Sequence, residues 1–298
     1  MESNVAIITR TKNRPLFLRR AISSVLTQAY PHWIHVIVND GGDSKEVDAV
    51  VDLFRSEYGA RIHVIHHDIS LGMEAASNAG INDSKSDYIL IHDDDDTLEP
   101  DFLSETVSYL EKNTWPAIKG VVTLTNRIDE HIEDNEVLQD KITLFRDMKG
   151  SIGFDDMAKI NPFPPISFLF RRDTLNEIGL FDDQLPVLGD WDFNLRFLLK
   201  YDIGVIPKAL ANYHHRLQIK TGQMGNTIYA QLDRHLFYDT LVRNRYARMV
   251  PPNFLAYFMF QEGQQSFLLE RLYRHPVIGR VIRFWSRWVN PNIPSSLS

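Results

Sequence analysis

The 298-residue sequence predicts an α/β protein in which helices flank a mostly parallel sheet and a helical extension follows at the C-terminus. Residues 1–124 alternate short apolar runs with amphipathic stretches, which is the pattern of βαβ units. The run Tyr88–Ile91 is apolar without polar alternation, as expected for a strand that is buried on both faces. From residue 226 onward the periodicity is helical, with a break at Pro251 and Pro252.

The elements of the first half follow one another in a regular order. Predicted strands cover residues 5–8, 33–38, 62–65, 88–91 and 117–124. Helices are predicted from Pro15, from the capping box of Asp43 and Glu46, over residues 72–80, and after Pro100. The small residues of the 72–80 helix would allow it to pack closely on the sheet.

The regular alternation fails after residue 124. Residues 125–160 are polar and are expected to be irregular, and residues 161–165 form a turn-rich break. The elements expected after that break are a strand over 166–170, a helix over 174–178, a helix from Trp191 and a strand that begins at Val205. These features predict a main domain of residues 1–216, with halves 1–124 and 125–216, and a helical extension of residues 217–298.

Composition excludes several classes of protein. The absence of cysteine rules out disulfides, thiolate metal sites and cysteine nucleophiles, and it fits a reducing compartment. The sequence has no apolar run of 18 residues, so no spanning helix is expected and we predict a cytoplasmic protein. A net charge of −7 argues against a nucleic-acid partner.

Four consecutive carboxylates, Asp93–Asp96, follow directly after the Tyr88–Ile91 strand and His92. Because adjacent like charges repel, the cluster requires a cation or solvent to relieve it. The carboxyl end of a strand in an open α/β sheet is also where ligands bind. Two interpretations stay open on these residues alone: a metal site, and a solvated acidic loop that leads into the next helix.

Polar residues follow three of the predicted strands: Thr9–Asn13, Asp40 and the Asp93–Asp96 cluster. The carboxyl ends of parallel strands lie along one edge of a sheet, so these residues can converge on a single ligand. A lone Asp at a strand end is more often a turn or capping residue. Three such positions on one edge favour a nucleotide crevice.

Several motifs together resemble one enzyme family. They are Ile7–Pro15, Ser24–Gln28, Val38–Asp40, Leu71–Ile81, the Asp93–Asp96 run followed by Pro100, and Gly189–Asp192 with Arg196. They are similar to the motifs of the family 2 glycosyltransferases, which have the GT-A (Rossmann-like) fold. The resemblance covers residues 5 to about 216 and is specific in aggregate. It implies that residues 1–124 bind a nucleotide-sugar and that residues 125–216 face the acceptor.

The resemblance also implies which residues bind the nucleotide-sugar donor. Thr9 and Asp40 would contact the base and ribose, and Asp93 the ribose and the metal. The full implied donor set is Thr9, Thr11, Asn13, Asp40, Asp93 and Asp94. In the acidic run, Asp93 and Asp95 would be the functional pair, whereas Asp94 and Asp96 would be supporting or solvent-facing.

A divalent metal is the implied cofactor. Carboxylate oxygens suit Mg²⁺ or Mn²⁺, and the implied ligands are Asp93, Asp95 and a late histidine. His214 and His215 are adjacent, and on a strand they would face opposite sides, so we expect only one of them to serve. We favour His215, although a lone histidine is more often structural than a ligand.

Asp190 matches the general base of the family. It would take the proton of an acceptor hydroxyl as the oxygen attacks the anomeric carbon, with inversion. The structural alternative is that Asp190 only caps the helix that begins at Trp191. The family often has Glu before this Asp, whereas this sequence has Gly189, which puts any acceptor contact made by that Glu in doubt.

The implied function is that of an inverting, metal-dependent glycosyltransferase of hexosyltransferase type. It would move a sugar from a nucleoside-diphosphate sugar to a hydroxyl of a glycan or lipid-linked glycan, in bacterial-type polysaccharide or glycan assembly. One alternative is a sugar-1-phosphate nucleotidyltransferase, but the expected glycine-rich loop is missing from Thr9–Pro15. The other is a non-catalytic nucleotide-sugar-binding protein, which the presence of Asp93, Asp95 and Asp190 argues against.

Residues 271–298 are basic, with five Arg and no acidic residue. Val277, Val281, Trp285 and Trp288 lie on one helical face, with arginines on the other. This pattern is typical of a helix at a membrane interface, which would place the protein peripherally on the inner face of the membrane. A helix that packs on the main domain or on a second subunit is the equally supported alternative.

Overall fold

A computed structural model describes residues 4–134, 136–216 and 232–251. The chain divides into two compact units, residues 1–238 and 239–298. The first unit contains the whole sheet. The predicted basic helix of residues 271–298 lies outside the described residues, and the domain boundary at residue 216 stays a prediction. Within the described ranges, no helix is both long and apolar enough to cross a membrane.

Strands and helices alternate in the first half of the chain, as predicted. Its elements are β1 (Val5–Thr11), α1 (Pro15–Leu26), β2 (Trp33–Asp40), α2 (Ser44–Asp52), α3 (Arg55–Tyr58), β3 (Ile62–His67), α4 (Met73–Asp83), β4 (Tyr88–Asp93), β5 (Thr97–Leu98) and α5 (Phe102–Lys112). Pro15 occupies the first turn of α1, where its missing N–H costs nothing. Asp43 caps α2 by accepting a 2.8 Å hydrogen bond from the backbone N–H of Lys45.

The second half supplies the long strands and the helix that carries Asp190. Its elements are β6 (Ile118–Glu133), β7 (Glu136–Leu144), α6 (Phe154–Lys159), β8 (Phe168–Arg171), α7 (Leu175–Ile178), α8 (Gly189–Leu198), β9 (Asp202–His215) and α9 (Leu232–Ala247). Single 3₁₀ turns cover Pro165–Ser167 and Arg172–Thr174.

The expectation that residues 125–160 are irregular is wrong at both ends of this range, since strands extend to Leu144 and α6 covers Phe154–Lys159. β6 continues to Glu133, and β7 returns beside it as an antiparallel strand. The end of β6 is hard to recognise from sequence because it contains a glutamate, Glu130, which is buried like its neighbour Ile128. A buried charge in a strand breaks the apolar pattern by which strands are recognised, and it is tolerated here because three cationic or polar side chains bind it.

One mixed, largely parallel sheet holds these strands in the order β3-β2-β1-β4-β8-β6-β9-β5, with β7 paired to β6. The four strands at one side, β3, β2, β1 and β4, are all parallel. β8 is antiparallel to both β4 and β6, whereas β6 and β9 are parallel. The registers pair Thr11 with Asn39 and Arg10 with Asp93, so the carboxyl ends of β1, β2 and β4 form one edge.

The central strands and their flanking helices form the core. Every residue of β1 is buried, and so are Tyr88–Ile91 of β4, as the unbroken apolar run predicts. α4 lies very close to the sheet, because a Cβ atom on Gly80 would lie 2.4 Å from Cγ2 of Ile8. Small residues on this helix are therefore required for packing, as predicted.

Candidate active site

The acidic run forms a tight turn at the end of β4. Asp93 is the most accessible of the four, with 24% of its side chain exposed. Asp94 is fully buried, and Asp95 and Asp96 are also buried. The interpretation of this run as a solvated acidic loop is therefore wrong. Of the two alternatives expected for Asp94 and Asp96, supporting or solvent-facing, burial excludes the second. The cations that relieve this repulsion come from the protein itself.

Three arginines bind the carboxylates of the acidic turn, one from β1, one from the loop after it, and one after β9. Arg10 Nε donates to Asp93 Oδ1 at 2.9 Å. Arg14 forms ion pairs with Asp94 and with Asp95, the latter at 3.2 Å between Nη1 and Oδ2. Buried carboxylates are stable when paired in this way. The sequence identified the need for a cation but did not identify these residues as its source.

The third arginine, Arg216, is fully buried and forms an ion pair with Asp95. Burial alone would raise the pKa of Asp95, but Arg14 and Arg216 outweigh it and lower that pKa to about 2. Asp94 differs, since burial raises its pKa to about 7 despite Arg14. Burial and the charge of Asp95 raise the pKa of Asp96 well above its ordinary value. Asp95 is therefore firmly ionised, whereas Asp94 and Asp96 hold a proton more readily.

Behind the turn, Glu130 of β6 joins several cationic and polar groups. It accepts hydrogen bonds from Arg20 Nη1 at 2.7 Å, from Arg216 Nη1 at 2.8 Å and from His214 Nδ1 at 2.8 Å. Burial opposes ionisation of Glu130, yet His214 and Arg20 lower its pKa to about 2. Arg20 also donates to the backbone carbonyl of Asp95 at 2.6 Å. Glu130 thus holds two of the arginines that contact the acidic turn, and sequence analysis missed it.

Thr9, predicted to contact the nucleotide, lies inside the sheet. His35 Nε2 lies 2.6 Å from Thr9 Oγ1, His92 Nδ1 lies 2.9 Å from it, and Tyr58 and the Asp96 carbonyl contact the outer nitrogens of the two rings. Burial lowers the pKa of both histidines, so both rings are neutral. The carbonyl can only accept, so His92 Nε2 carries a proton and Thr9 donates to Nδ1. His35 therefore donates to Thr9, and Tyr58 donates to His35.

Asp40, at the end of β2, binds the loop that precedes α4. Its carboxylate accepts from His67 Nδ1 at 2.9 Å, Ser70 Oγ at 2.6 Å, and the backbone N–H groups of Leu71 and Gly72 at 2.8 and 3.0 Å. Burial alone would raise the pKa of Asp40, but these hydrogen bonds lower it. The structure therefore gives Asp40 a turn-organising role at the predicted edge, and its contact with a base stays a prediction.

Thr11 and Asn13 also have partners within the protein. Thr11 Oγ1 donates to Asp94 Oδ2 at 2.6 Å, which ties the end of β1 to the acidic turn. Asn13 has a left-handed backbone with φ of 52°, and its Oδ1 accepts from the backbone N–H of Asp43 at 2.8 Å. These contacts connect the loops after β1, β2 and β4. The edge thus brings together Thr11, Asn13, Asp40 and the acidic turn, as predicted.

Asp190 lies in the first turn of α8, which begins at Gly189 rather than at Trp191. Asp190 is therefore inside the helix and is not its N-cap, so the capping interpretation is wrong. Asn161 Nδ2 donates to Asp190 Oδ2 at 2.7 Å, and Asn194 Nδ2 donates to Asn161 Oδ1 at 3.1 Å. Burial raises the pKa of Asp190. Asn161, which the sequence showed only as part of a turn, thus orients the proposed base.

The residues proposed for the metal are only partly assembled by the protein alone. Among residues 4–134, 136–216 and 232–251, no three His, Asp or Glu side chains could hold a metal ion by themselves. Arg10 contacts Oδ1 of Asp93, and Arg14 and Arg216 contact Oδ2 of Asp95. Mg²⁺ commonly binds through one or two carboxylates plus substrate phosphates, and Asp93 and Asp95 fit that arrangement.

The two histidines at the end of β9 have different surroundings. His214 uses both ring nitrogens, since Nδ1 binds Glu130 and Nε2 lies 3.0 Å from Thr97 Oγ1. The ring of His215 meets that of Tyr213 edge to face, with centroids 4.3 Å apart. Burial lowers the pKa of His215 to about 4, so its ring is neutral near pH 7. These contacts leave His215 as the histidine to test, and its metal role stays a prediction.

Comparisons with known proteins agree on the family. The Glycosyl transferase family 2 profile matches residues 6–179. The chain is 26% identical to the uncharacterized glycosyltransferase YwdF of Bacillus subtilis (strain 168), over 70% of this chain and 73% of that protein. It is also 26% identical to the PGL/p-HBAD biosynthesis glycosyltransferase of Mycobacterium bovis (strain BCG / Pasteur 1173P2), over 75% of this chain and 79% of that protein.

Solved structures show the same fold at low identity. S. aureus TarS 1–349, solved in complex with UDP, superposes with a TM-score of 0.57 and 16% identity, over 71% of this chain and 60% of that one. The mannosyltransferase PcManGT from Pyrobaculum calidifontis, in complex with GDP-Man and Mn²⁺, superposes with a TM-score of 0.55 and 13% identity, over 90% of this chain and 81% of that one. The chain therefore belongs to glycosyl transferase family 2, and its sheet with flanking helices has the GT-A fold.

Proposed function

We propose that this chain is an inverting glycosyltransferase that moves a sugar from a nucleoside-diphosphate sugar to an acceptor hydroxyl. The observation that carries the proposal is the placement of Asp190. Its carboxyl is held by Asn161. The preceding residue, Gly189, lies against Glu74, which Arg10 links to Asp93. A base and the acidic turn at the nucleotide edge are thus close neighbours, as transfer between a donor and an acceptor requires.

In the proposed reaction, Asp190 accepts the proton of the acceptor hydroxyl. The acceptor oxygen forms a bond to the anomeric carbon, while the bond from that carbon to the phosphate oxygen breaks. The electron pair leaves with the nucleoside diphosphate, and a single displacement inverts the anomeric configuration. The raised pKa of Asp190 strengthens it as a base near neutral pH.

Asp93 and Asp95 are the proposed ligands for Mg²⁺ or Mn²⁺, with His215 as the candidate third ligand. When bound, the metal supplies positive charge that stabilises the leaving diphosphate. Arg14 lies beside both Asp94 and Asp95, so it can add positive charge on the same side. A structural neighbour solved with GDP-Man and Mn²⁺ supports this choice of donor class and metal.

We propose a hexosyl group as the transferred sugar and a glycan or lipid-linked glycan as the acceptor. The support is that one relative is described as a biosynthesis glycosyltransferase for PGL/p-HBAD and that one structural neighbour is described as a mannosyltransferase. We therefore propose that the reaction belongs to polysaccharide or glycan assembly.

The test is release of nucleoside diphosphate from a panel of UDP-, GDP- and dTDP-sugars, each with Mn²⁺ and with EDTA. We expect release from one donor class that requires metal and is lost in Asp95→Ala. Release that persists in EDTA would overturn the metal role. Absence of release from every donor, in a protein whose melting temperature no nucleotide-sugar raises, would overturn the proposed function.

A further inference from the structure

The start of α8 rests directly on a buried carboxyl from another helix. Glu74 belongs to the first turn of α4, and only 3% of it is exposed. A Cβ atom built on Gly189 would lie 2.3 Å from Glu74 Oε1 and 2.5 Å from its Cγ. With Glu74 in this position there is no room for a side chain at residue 189. A substitution there requires the Glu74 side chain to shift.

Arg10 holds Glu74 in this position. Its Nη1 lies 3.5 Å from Glu74 Oε2 and 3.2 Å from Ser77 Oγ, while its Nε binds Asp93. One buried guanidinium therefore connects the first turns of α4 to the end of β4. Because Glu74 touches Gly189, this connection continues into the residue that precedes Asp190.

One buried cation, Arg10, pairs with two carboxyl groups here, those of Glu74 and Asp93. Arg10 is a buried cation near Asp93, Glu74 and Asp190, all of which raise its pKa. Burial raises the pKa of Glu74 to about 8, with Arg10 opposing and Asp190 and Asp93 adding to the shift. Burying a carboxyl costs desolvation free energy, whereas an apolar side chain of similar volume would pack without that cost. Packing alone therefore does not account for a glutamate here.

We propose that Glu74 is a positioning residue for the transfer reaction. Held by Arg10, its carboxyl supports the Cα atom of Gly189 and fixes the Asp190 carboxyl relative to Asp93. This inference rests on the proposed role of Asp190 as the base. Its consequence is that loss of Glu74 impairs the turnover step through Asp190 more strongly than it weakens binding of the nucleoside diphosphate.

The test compares Glu74→Ala, Glu74→Gln, Gly189→Ala and the double variant Glu74→Ala with Gly189→Ala. For each, kcat and KM for nucleoside diphosphate release are measured with the nucleotide-sugar that stabilises the wild type most, together with the Kd for the nucleoside diphosphate and the melting temperature. Glu57→Gln, an exposed glutamate on α3, is the matched control and is expected to match the wild type.

Glu74→Ala and Gly189→Ala are expected to lower kcat by up to about 10²-fold, the cost of a misplacement near 1 Å, with a smaller change in the Kd for the nucleoside diphosphate. Glu74→Gln keeps the shape and an acceptor for Arg10, so it should retain most of kcat. The double variant should melt higher than Gly189→Ala, because the methyl group then has space, while its kcat stays low.

Two results would overturn the inference while the wild type is active. One is wild-type kcat in Glu74→Ala, and the other is equal melting temperatures for Gly189→Ala and the double variant. A wild type without activity toward any nucleotide-sugar would instead contradict the proposed function. The melting-temperature cycle does not depend on activity, so it tests the contact between Glu74 and Gly189 separately.

Discussion

The Arg216 guanidinium donates a 2.8 Å hydrogen bond to Glu130 Oε1, although the two residues are 86 positions apart. The same guanidinium forms an ion pair with Asp95 and lies over the ring of Phe17, with its Cζ 4.3 Å from the ring centroid. A glutamate inside β6 therefore determines the position of the cation that contacts the acidic turn. The charge balance of the turn is set by the sheet behind it as much as by the turn itself.

Glu130→Gln is expected to destabilise the fold. The substitution keeps the volume but leaves Arg20 and Arg216 without their shared buried carboxylate, which costs about 3–5 kcal/mol when one partner of a buried pair is removed. Urea denaturation of the wild type and the variant measures this loss of unfolding free energy. The control is Glu105→Gln, whose exposed pair with Lys208 should contribute only about 0–1 kcal/mol. Equal losses in the two variants would contradict the importance of the buried network.

The stability contributed by Glu130 is expected to depend on pH. Its pKa is about 2 in the folded protein and ordinarily 4.5, so it is more easily protonated in the unfolded chain. Its contribution is therefore present above about pH 5 and is lost as the pH falls from 4.5 towards 2. The difference in unfolding free energy between wild type and Glu130→Gln should shrink between pH 7 and pH 3. A difference that stays constant over that range would show that the pKa of Glu130 is not lowered.

Thr9→Val is expected to cost about 2–4 kcal/mol, since it leaves a donor on His35 and an acceptor on His92 buried without partners. Thr123→Val is the matched control. Thr123 is also buried in a strand, and its hydroxyl has no hydrogen-bond partner in the described part of the chain. Its replacement should be neutral or stabilising. Chemical denaturation of both variants checks this. Equal losses of unfolding free energy would contradict the two buried hydrogen bonds of Thr9.

Asn161→Ala is expected to shift the pH dependence of activity. Asp190 must be ionised to act as a base, so kcat/KM should fall as the pH drops through its pKa, which burial places above the ordinary 3.8. Asn161 donates to the carboxylate, and its loss should raise that pKa further and move the acid limb to higher pH. The profile of Asn113→Ala, a half-buried asparagine at the end of α5, should match the wild type. An unchanged limb in Asn161→Ala would exclude this role of Asn161.

The sheet edge could be predicted because its signals are local. Each strand end is visible as an apolar run that meets a polar residue, and parallel strands place those ends together. The acidic turn was found in this way, whereas Asp190, which lies in a helix, was assigned only from the resemblance to the family 2 glycosyltransferases. The sequence does not show that the Thr9 hydroxyl binds two buried histidines, because His35 and His92 belong to two other strands.

Glu130 and Asn161 could not be identified because their roles depend on distant residues. Glu130 binds Arg20 across 110 positions, and within β6 it only weakens the strand pattern. Asn161 lies beside Pro162 in a segment with the composition of a turn, and only the fold brings it within 2.7 Å of Asp190. Long-range pairing of polar side chains leaves no periodic signal in a single sequence.

The proposed role of Asp190 is tested most directly by the rate of nucleoside diphosphate release in Asp190→Asn. We expect a loss of about 10²–10⁴-fold in kcat, the typical contribution of a general base. Donor binding should remain, as shown by an unchanged rise in melting temperature with the nucleotide-sugar. A wild-type rate in Asp190→Asn would contradict the assignment of Asp190 as the base.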